Sequence, residues 1–92
     1  QTLGAALAKT LGKNTVVLMR GHGLTITGGS LKEAVYNAVN TLLSARIQMN
    51  AMRLGTLIPL TDGEAAAAAK IHGTVLDRNW EVWSKRALGQ LP

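Results

Sequence analysis

Cysteine and phenylalanine are absent from this 92-residue chain, and the aromatic residues are confined to Tyr36, Trp80 and Trp83. Without cysteine there is no disulfide framework, no zinc-thiolate centre and no thiol nucleophile. Nothing therefore demands an oxidising compartment, and a cytoplasmic location is expected. No uninterrupted apolar run approaches the roughly 18 residues of a membrane helix, so membrane insertion is not expected. No basic-then-apolar leader follows Gln1, and the absence of an initiating Met suggests a fragment or a processed chain. Acids are scarce as well: five Asp and Glu stand against ten Lys and Arg, a formal charge of +5. The cations are scattered singly apart from Lys85 and Arg86, and stacking aromatics are few. Both features argue against nucleic-acid binding, which needs clustered cations or stacking platforms.

With 47% apolar and 16% charged residues, the remaining composition is that of a globular domain with a modest core. Leu3, Leu7 and Leu11 recur at helical spacing, and Gly12 stands where a helix ends, which predicts a first short helix. Thr15 to Met19 is a β-branched and apolar run without alternation, the pattern of a strand buried on both faces. After Arg20-Gly21-His22-Gly23, Leu24 to Thr27 alternates apolar with polar, so two strands joined by a tight connection are expected.

Ser30 and Glu33 form a capping-box pattern, which predicts reciprocal bonds between each side chain and the other residue's amide. A long helix then carries Leu31, Ala34, Val35, Ala38, Leu42, Ala45, Met49 and Met52 as far as Gly55. A second stripe, Val35, Val39, Leu43 and Ile47, widens its apolar face, as deep burial or a subunit contact would require. Thr61 and Glu64 repeat the cap ahead of the alanine run 65–69, with Gly73 expected to interrupt or end that helix. Asp77 to Leu88 could then continue as an amphipathic segment with Val82, Trp83 and Leu88 inward. The result is an α/β chain of two strands and three to four helices. A two-stranded sheet is marginal alone, so further strands are expected upstream of Gln1.

Phosphate-binding loops are unsupported. Gly12-Lys13 lacks the rest of a P-loop, and Gly21, Gly23 and Ile26 fail the dinucleotide fingerprint. The acids sit at helix starts or late helix positions, where capping and dipole effects account for them. Arg20-Gly21-His22-Gly23 is different. An imidazole flanked by glycines at the end of a buried strand is a candidate metal ligand or acid/base, and Arg20 beside it offers a planar fork to an anion. His72, before Gly73, reads as a structural residue meeting the carbonyl end of a helix. Trp80 and Trp83 read as packing anchors, and Tyr36 as core-facing.

Gly4 to Gly55 resembles the C-terminal part of the class II aldolase/adducin family. The resemblance rests on Gly4, Leu7, Ala8, Leu11 and Gly12 in the first helix, and on Arg20, His22 and Gly23 after the strand. Gly29, Ser30, Leu31 and Ala34 at the next helix start, then Ala45, Arg46, Ile47 and Gln48, complete it. It implies that residues 1–92 are the C-terminal segment of one α/β/α sandwich domain whose N-terminal part is absent. By the same resemblance His22 is the last of three histidines holding a divalent metal, zinc or manganese, and a small-molecule substrate meets that metal in a homotetramer. The other two histidines and the acidic catalytic residue fall before Gln1 in the family pattern, so no catalytic residue is assigned here. Gly21, where many members carry Asn, and the segment Arg78 to Trp83 are closer to the decarboxylase-like branch than to the sugar aldolases. Both chemistries break a C–C bond and leave a carbanion that a metal stabilises as an enolate. The alternative is a non-catalytic, adducin-like interaction module without the complete metal triad.

Overall fold

The computed structural model describes residues 2–91, in the order α1 (Thr2–Leu11), β1 (Val16–Met19), β2 (Gly23–Ile26), α2 (Leu31–Met52) and α3 (Asp62–Ala87). Gly12 ends α1 at φ +53°, its amide donating to Ala8 O at 3.0 Å, the left-handed stop its position predicts. β1 and β2 pair antiparallel with Val16 opposite Ile26 and Met19 opposite Gly23, and Thr27 N prolongs the ladder to Thr15 O at 2.9 Å. α1 packs on β1, whereas α2 packs on β2 and α3.

The starts of α2 and α3 are both capped by hydroxyls, with one departure from expectation. At α3 the box is complete: Glu64 N donates to Thr61 Oγ1 at 3.2 Å, and Thr61 N to Glu64 Oε2 at 2.9 Å. At α2, Glu33 N donates to Ser30 Oγ, but the Glu33 carboxylate accepts from Gly29 N at 3.1 Å instead of Ser30 N. The glycine permits that longer reach, because a Cβ at position 29 would lie 3.0 Å from Glu33 Oε2.

Gly28 is where β2 is delivered onto α2. A Cβ there would sit 2.5 Å from Ala34 N and 2.9 Å from both Ala34 Cα and Glu33 C, all of them backbone atoms. No rotamer change can relieve such a clash. Gly28→Ala is expected to destabilise the protein by about 2 kcal/mol or more, the scale of core overpacking, read as a lower midpoint in urea unfolding. The same junction is tied by Asn37 Nδ2, which donates to Thr27 O at 3.0 Å, and Lys32 reaches Asp77 on α3 at 3.2 Å.

α3 corrects the expected break at Gly73: the helix runs unbroken through it, giving three helices among the described residues. One interior glycine costs about 1 kcal/mol of helix propensity, a penalty that packing of the flanking turns can exceed. Leu76, Trp80 and Trp83 are half-buried, whereas Val82 and Leu88, expected inward, are exposed. On the solvent side Lys85 donates to Glu81 at 2.7 Å and holds that carboxyl below its ordinary pKa.

Burial is where expectation and structure diverge most. Among the described residues only Val17 and Tyr36, each 6% exposed, are buried apolar side chains. β1 is therefore covered on one face only, with Leu18 at 75% exposure, and Leu42, Met49, Met52, Leu43 and Ile47 of α2 also face solvent. The accessible surface is 7828 Å², about half again the roughly 5,100 Å² that a compact monomer of this mass presents. Likewise the radius of gyration, 15.6 Å, exceeds the roughly 12 Å of a compact chain of this length. Among the described residues no helix is long and apolar enough to cross a membrane.

Candidate ligand site on the hairpin turn

The β1–β2 connection is built by its glycines. His22 N donates to Met19 O at 3.1 Å, closing a four-residue turn whose third residue, Gly21, has φ +76°, and Gly23 follows at φ +130°. Side-chain-bearing residues rarely adopt either conformation, so the two glycines enforce a reversal that a β-branched strand could not make unaided. Val17, buried beneath α1, anchors the strand that carries the turn. The outcome is that Arg20 and His22, separated by one residue, both project exposed at the same end of the sheet.

Both line one groove of about 610 Å³ between α1 and β1. Its walls are apolar, from Leu3, Leu7, Val17 and Met19, and no carboxylate lines it. Thr10 contributes little polarity, since its hydroxyl donates to Ala6 O at 2.9 Å. A guanidinium and an imidazole at an apolar, acid-free groove can receive an organic carboxylate: the fork binds the charge and the walls take the carbon skeleton.

His72 lies elsewhere. Instead of ending a helix it sits mid-way along α3, because that helix does not stop at Gly73, and its ring meets Tyr36 edge-on at 5.7 Å and 71°. Trp83 packs on the other side of Tyr36, with centroids 6.1 Å apart. A row of polar residues on α2 that carries no motif also forms a site wall: Asn37, Asn40, Thr41, Ser44 and Gln48 line a second groove of about 670 Å³ with Leu18. Its signal was present, as a polar stripe at helical spacing on the same helix as the apolar one.

Among the described residues no three His, Cys, Asp or Glu side chains converge. His22 suits a divalent metal as a single nitrogen donor, while a held ion needs at least three protein ligands, which the described residues do not bring together.

A sequence profile described as the class II aldolase and adducin N-terminal domain matches residues 1–49, which include α1, the hairpin and most of α2. A decarboxylase, tropJ, of Talaromyces stipitatus is 38% identical over 80 residues, covering 75% of this chain and 30% of that protein. The 3,4-dihydroxyphthalate decarboxylase of a Terrabacter species is 40% identical over 53 residues, covering 58% of this chain and 22% of that enzyme. Its counterpart in Arthrobacter keyseri is 36% identical over 74 residues, 78% of this chain and 29% of the enzyme. The chain thus spans less than a third of the length of these relatives. No solved structure matches it significantly.

Proposed function

The chain belongs to the class II aldolase/adducin family, on the side of its decarboxylases, and from that premise we propose that it is the C-terminal segment of a metal-dependent lyase that decarboxylates a hydroxylated aromatic carboxylate. The carrying observation is the hairpin turn, which sets an exposed imidazole and an exposed guanidinium together on an apolar groove free of acids.

In this reading residues 1–92 complete one α/β/α domain. The uncovered face of β1 and the exposed apolar stripes of α2 support it, because the surface excess is far larger than the roughly 800 Å² per partner of an ordinary interface. Further strands of the same domain cover β1, and a homotetramer takes up what remains of α2's apolar face. The tetramer follows from the family resemblance.

His22 contributes one neutral ligand to a divalent ion, zinc or manganese, which when bound supplies Lewis-acid neutralisation of charge at substrate oxygens. Arg20 holds a carboxylate of the substrate and orients it, while the groove walls exclude water from the ring. In the reaction the bond between the ring and one carboxyl group breaks, CO₂ leaves, and the electron pair stays on the ring carbon until a proton replaces it. The group that delivers this proton belongs to the part of the domain that precedes these residues.

The test is CO₂ release from 3,4-dihydroxyphthalate by the whole polypeptide carrying this chain, reconstituted with zinc or manganese. Turnover is expected, and Arg20→Ala is expected to raise KM by roughly tenfold or more, the scale of a lost charge-assisted hydrogen bond, with kcat changing less. An unchanged KM would remove Arg20 from the site. No bound metal and no turnover on any hydroxylated aromatic carboxylate would replace the lyase by the adducin-like interaction module.

A further inference from the structure

Gly4 has no local reason to be glycine. It lies in the first turns of α1, where its φ is not in the left-handed region, and a Cβ added there meets nothing within 4 Å. Neither the backbone nor packing requires it, and glycine is the poorest helix former after proline. Gly4 does have a position: with Leu7, one helical turn along, it lines the groove that Arg20 and His22 also line.

We propose that α1 is the specificity wall of the substrate site, and that Gly4 leaves the room an aromatic ring needs when its carboxylate is held by Arg20. This rests on the lyase reading above. The occupant follows from complementarity: the wall between Gly4 and Leu7 offers apolar surface and no free donor, while among the described residues Arg20 is the only Lys or Arg lining the groove and no carboxylate lines it. A planar, apolar body with an anionic edge satisfies both halves. A small anion would use only Arg20 and would not notice position 4.

The experiment measures binding of 3,4-dihydroxybenzoate and of pyruvate to the whole metal-loaded polypeptide by calorimetry, for the unaltered protein, Gly4→Ala and Gly4→Leu. Gly63→Leu, equally open but on α3 away from the groove, serves as control. The expected result is graded and selective: the aromatic acid binds a few-fold more weakly to Gly4→Ala and at least tenfold more weakly to Gly4→Leu, while pyruvate is held alike by all four proteins. Gly4→Ala adds a single methyl group and keeps the comparison available if the leucine does not fold. Unchanged aromatic binding in both Gly4 variants overturns the wall. So does an equal loss for both acids, which would mean that α1 meets another segment of the polypeptide. Failure of the unaltered protein to bind either acid would instead overturn the lyase reading on which the wall depends.

Discussion

Replacing His22 with alanine is expected to strip the metal from the whole polypeptide while leaving it folded. Removing partners that only orient a ligand costs metal sites about 10- to 100-fold in affinity, so deleting a ligand itself should cost more than roughly 100-fold. Elemental mass spectrometry should fall from about one divalent ion per chain to near none, and decarboxylation should fall with it. The fold should persist because the imidazole is exposed and the turn is closed by the His22 backbone amide, which alanine retains. Circular dichroism checks that separation. A folded variant that keeps its full metal content would remove His22 from the ligand set, and the proposed lyase would lose its link to this chain.

The largest stability effect is expected at Tyr36. It is one of two buried apolar side chains among the described residues, and it alone bridges α2 to both His72 and Trp83 of α3. Truncating a buried aromatic costs about 3–5 kcal/mol, and the ring pairs that Tyr36 makes with His72 and Trp83 are each of the kind worth about 1 kcal/mol beyond area burial. Tyr36→Ala should therefore lower the urea midpoint sharply and loosen α3, seen as faster hydrogen exchange along its central turns. Tyr36→Phe keeps the ring and should cost less than about 1.5 kcal/mol. Equal losses in the two variants would show that the hydroxyl, not the ring, carries the stabilisation.

Local elements were legible because their causes are local. Gly12, Ser30 and Thr61 mark helix ends through bonds that span only three or four residues, and the glycines around His22 imply a turn without any knowledge of the rest of the chain. Gly73 misled for the same reason. Its propensity is a local penalty, whereas the helix that carries it also packs on Tyr36, far away in sequence. The capping box at Ser30 failed by one residue, since which amide the Glu33 carboxylate reaches depends on the space left at Gly29.

The candidate site divides along the same line. His22 and Arg20 stood out in the sequence because glycine-framed polar residues at a strand end are unusual, and the role proposed for the histidine comes from the family resemblance. That Gly4 and Leu7 share their groove was not readable, because α1 could have lain against either face of the strand with the same periodicity. By itself, then, the sequence determined the helix starts and the hairpin, which rest on spacing and on glycine's backbone freedom, and the family, which rests on the resemblance of its motifs. Only the tertiary structure decided which apolar stripes stay uncovered, where His72 rests and which wall faces His22, because those depend on how elements separated by tens of residues meet in space.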